Sequence, residues 1–295
     1  MHQSEMLNQQ GIRMSSVLAL QFLYSKKHIV VIMGAGVSVD AGIPDFRSKN
    51  GFFDRIKHTL PPHYSPEDVF DISVFKENPS LFYSCIQSLS LNEFRPSVTH
   101  LWLKAMQAKF HNIQHIFTQN IDGLESCIDC PITKLHGSLH QGHCLRCGKS
   151  IDSSLLQQAY RSGNVLHCPC GGVVKPDIVF YNECVDSTSM ERMKQASVVC
   201  DLLLILGTSL STHPVSECVR LFDHCDLLVL NQSNIQIPER GDGVKTVQIL
   251  GSFRELFGED GDALTEPEPL KDKCVYVLSS GILQKRKYLN SWTIV

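Results

Sequence analysis

Five short runs are rich in aliphatic residues and show little polar alternation: His28-Ile-Val-Val-Ile-Met33, Ile113-Gln-His-Ile-Phe117, Leu202-Leu-Leu-Ile-Leu206, Leu227-Leu-Val-Leu230 and Thr246-Val-Gln-Ile249. A strand with one wet face alternates with period two, so these runs predict strands covered on both faces, as in a parallel sheet. Between them, apolar residues recur at helical spacing, at Val98, Leu101, Trp102, Ala105 and Met106 and at Met190, Met193 and Val198. Such segments supply the crossovers that parallel strands require. The predicted class is α/β, a doubly wound parallel, Rossmann-like sheet.

Two stretches break the alternation. Residues 53–99, punctuated by Pro61-Pro62, Pro66, Pro79 and Pro96, read as a helical insertion, and residues 140–175 hold a cysteine cluster and little core. Both leave the sheet and return to it, which predicts a smaller lobe and a crevice against the larger one. The expected organisation is an N-terminal extension (1–25), a Rossmann-like domain (26–52, 100–139 and 176–263), the helical insertion (53–99), a cysteine module (140–175) and a C-terminal tail (264–295). The tail opens with Thr265-Glu-Pro-Glu-Pro and carries the short basic run Lys285-Arg286-Lys287.

Composition narrows the class. At 295 residues, 43% apolar and 19% charged, the chain can bury a sizeable core and is neither a disordered nor a coiled-coil sequence. Its 27 basic and 30 acidic residues give a net charge of −3, so no global positive field draws it to nucleic acid, and direct nucleic-acid binding is not expected. No window reaches the roughly 18 to 20 apolar residues of a membrane span, so no membrane partner is expected. Met1–Arg13 lacks the apolar region of a secretory signal. The twelve cysteines therefore read as reduced thiols of an intracellular protein, in the nucleus, the cytoplasm or both.

After the first strand comes Gly34-Ala-Gly-Val-Ser-Val-Asp-Ala-Gly42-Ile-Pro-Asp-Phe-Arg-Ser48. Glycines at a strand-to-helix turn let the backbone approach a pyrophosphate, whose charge the helix start favours. The third glycine of the dinucleotide fingerprint would fall on Val39, which argues against a simple dehydrogenase. The whole fifteen-residue string instead resembles the signature of the sirtuins, the NAD-dependent protein deacylases. The resemblance continues, in the family's order, through Thr118-Gln-Asn-Ile-Asp122, Leu135-His-Gly137, Val174-Lys-Pro-Asp-Ile-Val-Phe180 and Gly207-Thr-Ser-Leu210. It covers roughly Lys26 to Leu256 and is strongest to the subgroup with the cytosolic and mitochondrial histone-type deacetylases.

The resemblance implies NAD bound by the glycine loop, with Gly34, Ala35, Gly36, Ser38 and Ala41 around it and Ala35 and Gly36 at the pyrophosphate. Asp45, Phe46 and Arg47 would lie on a loop over the cofactor, where Phe46 can shield a reactive sugar carbon from water. Gln119 and Asn120 would reach the ribose region, Asn120 with a catalytic part. Ile121 and Asp122 would recognise the nicotinamide amide, although Asp122 could equally cap a helix. Gly207, Thr208, Ser209, Asn231, Gln232 and Ser233, beyond two further strands, would hold the adenosine half. Family members usually carry an acidic residue where this chain has Ser233, which implies altered affinity for the adenine ribose.

His136 is the expected catalytic base. An imidazole titrates near neutral pH and can accept a proton from a sugar hydroxyl without an extreme shift. Most of the thirteen histidines would have structural or surface roles, and the Leu-His-Gly setting singles this one out.

Cys144-Leu-Arg-Cys147 and Cys168-Pro-Cys170 are two close pairs separated by residues 148–167, a zinc-ribbon spacing in which four thiolates close a structural site. Gly148 and Gly171-Gly172 suit the tight turns that follow each pair. The second pair is Cys-x-Cys rather than the family's usual Cys-x-x-Cys, so His167 is an alternative ligand.

Val179-Phe-Tyr-Asn-Glu183 corresponds to the segment that pairs with an extended acyl-lysine peptide in the family, placing Val179, Phe180 and Asn182 at the substrate. Asn182 stands where relatives commonly have Gly, which is expected to narrow the approach of the peptide backbone. Tyr83-Ser-Cys-Ile86 lacks the arginine that reads negatively charged acyl groups, so an uncharged acyl group is expected. The implied activity is NAD-dependent deacetylation: the acyl group of an acyl-lysine protein or peptide, histones among them, passes to ADP-ribose and nicotinamide is released. A mono-ADP-ribosyltransferase and a non-catalytic NAD-binding scaffold are the alternatives.

Overall fold

The computed structural model describes residues 23, 25–89, 94–211, 215–257 and 293–294. The Thr265-Glu-Pro-Glu-Pro and Lys285-Arg286-Lys287 segments and nearly all of the N-terminal extension lie outside the described residues.

The strands are β1 (Ile29–Met33), β2 (Ile113–Thr118), β3 (Ile132–Lys134), β4 (Gly137–Cys144), β5 (Val174–Ile178), β6 (Leu202–Leu206), β7 (Asp226–Asn231), β8 (Thr246–Leu250) and β9 (Thr293–Ile294). One sheet runs β3-β2-β1-β6-β7-β8-β9, parallel throughout except for β9, while β4 and β5 form a separate antiparallel pair. The chain starts at the centre with β1, moves outward through β2 and β3, then returns to β6 on β1's other side. Strand order therefore reverses between β1 and β6, and the loops leaving their carboxyl ends diverge to open a crevice.

Every residue of β1 and β6 is fully buried. Ile29, Val31 and Met33 face a cluster with Trp102 and Met106, while Val30 and Ile32 face one with Met193 and Phe222. Successive side chains thus enter two different cores, which is why these strands tolerate no polar alternation. The covering helices include Val98–Phe110 and Ser187–Val199, where helical spacing was read. The glycine string departs from expectation: Ala35–Ala41 is a 3-10 helix, ended when Gly42 takes φ 92° and donates its N–H to Val39 O.

A third cluster builds the smaller lobe. It joins Phe52, Phe53, Phe70, Phe75, Phe82 and Tyr83 of the insertion to Cys144, Leu156, Tyr160, Cys168, Val174 and Phe180. The expectation that 140–175 would hold little core is corrected here. Helix Ser153–Ser162 places Leu156, Ala159 and Tyr160 on one buried face, at i, i+3 and i+4. Tyr83 and Tyr160 bury their rings and spend their hydroxyls on Val174 O (2.8 Å) and Leu139 O (3.1 Å). No described helix is long and apolar enough to cross a membrane.

Candidate functional site

The loops after β1, β2, β6 and β7 are laced together by backbone hydrogen bonds. Gly34 N–H donates to Leu206 O (3.0 Å), Gly36 N–H to Gly207 O (2.8 Å), Gln119 N–H to Met33 O (2.9 Å) and Gly207 N–H to Leu230 O (3.1 Å). A Cβ on Gly36 would stand 2.8 Å from Gly207 Cα, so only glycine permits the two loops to close this far. Side chains complete the lacing. Thr208 Oγ1 donates to Gln119 Oε1 (2.6 Å), and Asn231 Nδ2 donates to Thr208 O (3.2 Å) and Ser233 O (2.9 Å).

Above these loops lies a cleft of about 360 Å³, lined by Ala35 and Gly36, by Asp45, Phe46 and Arg47, by Gln119, Asn120 and His136, by Gly207, Thr208 and Ser209, and by Asn231, Gln232 and Ser233. A second cavity of about 280 Å³ is lined by Ile121, Val179, Phe180 and Asn182 together with Phe53 and Phe70. Phe46, Arg47, Gln119 and His136 line both. Gly34, Ser38, Ala41 and Asp122 line neither. Gly34 is covered by Thr208, and Ser38 Oγ turns inward, donating to Asp122 Oδ2 (2.8 Å) and accepting from Asn120 Nδ2 (3.2 Å).

His136 is oriented by its backbone surroundings. Nδ1 lies 2.9 Å from Gln119 O, and since a carbonyl only accepts, the proton sits on Nδ1 and leaves Nε2 with its lone pair. Burial holds the imidazole below its ordinary value of 6.5, against the opposing pull of the Gln119 carbonyl, so the ring is a neutral base at pH 7. Phe46 packs edge-on to Phe52, Phe53 and Phe70 at 5.7 to 6.1 Å. Its loop is folded by Asp45, whose Oδ1 accepts from the N–H groups of Arg47 (3.0 Å) and Ser48 (2.7 Å). Arg47 reaches across to Tyr181 OH and Ser211 Oγ, both at 3.2 Å.

The segment Val179–Glu183 is tied down on several sides. Val179 N–H donates to His136 O (2.9 Å), Tyr181 N–H to Phe70 O (2.7 Å), and Ile72 N–H to Tyr181 O (3.3 Å). Glu183 accepts from Phe180 N–H and pairs with Lys175 Nζ, both at 2.9 Å, and the buried ammonium stands 4.5 Å above the Phe180 ring.

Several lining residues had not been singled out from the sequence. Val39, Asp40, Ser48, Gly251, Ser252 and Phe253 join the first cavity, and Phe53 and Phe70 join the second. Gly251-Ser252 follows β8 directly and could have been found by the rule that ligands gather at carboxyl strand ends. Nothing in the local pattern separated Phe53 and Phe70 from ordinary core.

The sulfurs of Cys144, Cys147, Cys168 and Cys170 all lie within 4.8 Å of one another, with Cys144–Cys170 at 3.4 Å and Cys147–Cys168 at 3.7 Å. Four thiolates at the usual zinc–sulfur distance stand about 3.8 Å apart, so this set fits a tetrahedral zinc. The shorter Cys-x-Cys pair contributes both sulfurs, and His167 is outside the set, in a backbone bridge with Val173. The Cys147 backbone N–H, with Arg146 N–H and the neighbouring thiols, lowers the Cys144 thiol to about 6, toward the ligand form. For a dinucleotide, the fit rests on Asn120. Its Oδ1 is a buried acceptor with no donor among the described residues, beside Ser38 and Asp122, and a carboxamide N–H would satisfy it.

An open α/β sheet with a cleft at its switch point, a second apolar cavity meeting it at a histidine, and a four-cysteine module define a doubly wound α/β protein with a smaller cysteine-bearing lobe. The model of the Sir2 family matches residues 34–214, and the chain belongs to that family. It is 36% identical over 209 residues to the NAD-dependent protein deacetylase sir-2.1 of Caenorhabditis elegans, which covers 70% of this chain and 34% of that protein. It is 37% identical over 214 residues to the NAD-dependent deacetylase sir2A of Dictyostelium discoideum, covering 70% and 41%. It is 33% identical over 231 residues to the NAD-dependent protein deacetylase hst2 of Schizosaccharomyces pombe, covering 76% and 68%. The match thus spans about a third of sir-2.1 and two fifths of sir2A. A solved Sir2 enzyme structure superposes with TM-score 0.68 at 26% identity, over 85% of this chain and 94% of that one. A Sir2 structure with a p53 peptide and NAD+ superposes with TM-score 0.61 at 28% identity, over 74% and 86%.

Proposed function

We propose that the chain is an NAD-dependent protein-lysine deacylase that removes uncharged acyl groups, with an acetyl-lysine protein or peptide as substrate. The observation that carries this reading is the shared wall of Phe46, Arg47, Gln119 and His136, where the cleft at the strand ends meets a more apolar cavity. The two reactants of such an enzyme must meet at one histidine. The names of the relatives and the peptide and NAD+ held by the neighbouring Sir2 structure support it.

When bound, NAD supplies the nicotinamide-bearing sugar carbon that an acyl-amide oxygen can attack as nicotinamide departs. Ala35 and Gly36 present backbone to the pyrophosphate, and Thr208, Ser209, Asn231, Gln232 and Ser233 hold the adenosine half. Asn120, held through Ser38 to Asp122, orients the carboxamide, and Ile121 borders the meeting point. His136 Nε2 takes the proton of a sugar hydroxyl while Gln119 O keeps Nδ1–H fixed. Phe46 closes the junction to water, which strengthens these polar contacts and prevents hydrolysis. Val179, Phe180 and Asn182 wall the acyl-lysine side. The four cysteines would hold a zinc ion in a structural role. The cysteines of the described residues are all unbridged, which supports a reducing compartment, the nucleus, the cytoplasm or both.

The test is turnover of an acetyl-lysine peptide with and without NAD, in the parent and in His136→Ala. Turnover is expected to require NAD and to fall at least about a hundredfold in the variant, whose NAD affinity should stay within a few fold of the parent's. Equal rates in both proteins would remove His136 from the chemistry. Labelling of protein by NAD without deacylation would favour ADP-ribosyl transfer, and NAD binding without turnover in the parent would favour a scaffold.

A further inference from the structure

We propose that the cleft also accepts a dinucleotide phosphorylated on its adenosine 2′-hydroxyl, of the NADP class, because the described residues lining its adenosine end include no unpaired carboxylate that would exclude one. The proposal rests on the reading of this cleft as a dinucleotide site with the reacting sugar at His136. His136 follows β3 and Asn231 ends β7, four places along in the sheet order. Neighbouring strands lie about 4.8 Å apart, so the two strand ends are separated by roughly 19 Å, a span that puts the far nucleoside at Asn231.

In crevices of this kind an acidic side chain selects the unphosphorylated ribose: it accepts hydrogen bonds from the sugar hydroxyls and repels a 2′-phosphate. Here Asn231 Nδ2 is committed to the carbonyls of Thr208 and Ser233, which turns its Oδ1 to the role of neutral acceptor. Among the described residues, the other polar side chains lining this end, Thr208, Ser209, Gln232, Ser233 and Ser252, are uncharged, with the Ser233 side of the loop exposed.

Two carboxylates do line the cleft, and neither is placed to exclude a phosphate. Asp45 belongs to the Phe46–Arg47 loop on the His136 side, with Oδ1 folded onto its own backbone. Asp40 is covered by Arg254, whose Nε stands 3.3 Å from Oδ1 and whose Nη2 donates to Asp40 O at 3.3 Å. Arg254 lies two residues beyond Ser252 and compensates the charge of Asp40. Ser233 offers a hydroxyl donor where a carboxylate would offer only an acceptor.

The experiment is calorimetric titration of the full chain with NAD and, separately, with NADP. The expected result is an NADP dissociation constant within thirtyfold of that for NAD. Ser233→Glu adds a negative charge at an exposed position and is expected to weaken NADP relative to NAD by a further tenfold or more. Arg254→Ala uncovers Asp40 and is expected to shift the ratio the same way. NADP more than thirtyfold weaker than NAD in the parent, or a ratio unmoved by Ser233→Glu, overturns the proposal. If NAD itself gives no binding heat or competition, the dinucleotide reading of the cleft fails with it. If NAD binds and NADP does not, only the present inference fails.

Discussion

Gly36 packs directly on the backbone of Gly207 in the wall of the cleft, and replacing it with alanine puts a number on how much that close approach matters. An added Cβ would meet Gly207 Cα and O at 2.8 Å and Gly207 C at 3.0 Å, all backbone atoms at the end of β6 that cannot rotate away. Overpacking of this kind costs about 1–3 kcal/mol. The hydrogen bond from Gly36 N–H to Gly207 O, now 2.8 Å, would stretch as the loops part, at a further cost of about 1 kcal/mol. The free protein can relieve much of this by letting the loops after β1 and β6 separate. Seating a pyrophosphate requires them to close again, so the cost reappears in binding. At about 1.4 kcal/mol per tenfold, NAD affinity should fall by roughly ten- to a hundredfold while the unfolding midpoint drops modestly. Calorimetric titration and urea unfolding of Gly36→Ala measure the two. Gly148→Ala is the control: Gly148 has positive φ, 70°, which Gly36 does not, and a Cβ there meets nothing within 4 Å. It should lose up to about 1–2 kcal/mol of local stability and leave NAD affinity alone. A folded Gly36→Ala protein that binds NAD within twofold of the parent would refute the argument.

Two further outcomes follow from the site. Burial depresses the His136 imidazole below 6.5, so Nε2 is free at pH 7–8, and single-turnover acyl transfer should be flat there and decline only as pH falls below 6.5 and the ring takes its proton; an acid limb centred above that value contradicts the assignment. Removing zinc with a chelator should release one metal per chain and loosen the smaller lobe, since Cys144 and Cys168 belong to the same cluster as Tyr83 and Tyr160. Near-ultraviolet dichroism should lose its tyrosine signal while the Trp102 band, from a ring stacked on Phe257 in the other core, persists; coincident loss of both would show that the lobes are not independent.

The sheet was readable because its physics is local. Leu202–Leu206 is apolar at every position, and only a strand with a core on each side leaves no place for a polar residue. The glycine string, Gln119, Asn120 and His136 were readable because each directly follows one of these strands, where side chains leave the core and meet the crevice. The smaller lobe was less so. Leu156, Ala159 and Tyr160 lie in a short helix that also exposes Leu155, and their core value appears only when Phe82 and Tyr83, some seventy residues earlier, are folded against them. Phe70 is the same case, since its part in the second cavity depends on Tyr181 pairing with its backbone.

Asn182 shows how a substitution read as an obstruction can act otherwise in three dimensions. The sequence expectation was that a side chain here would narrow the approach of a peptide. In the fold, Asn182 keeps φ at 68°, the left-handed region that a glycine would occupy and that asparagine tolerates better than most residues. Its Nδ2 then donates to Asp71 Oδ2 at 2.6 Å, while Asp71 Oδ1 accepts from Ser73 and Val74 N–H at the start of helix Ile72–Glu77. The side chain thus fastens Val179–Glu183 to a capped helix of the insertion. Relative to glycine it restricts the unfolded chain and adds a charge-assisted bond, so the segment arrives at the cleft already shaped, and the cost of ordering it falls on folding rather than on substrate binding.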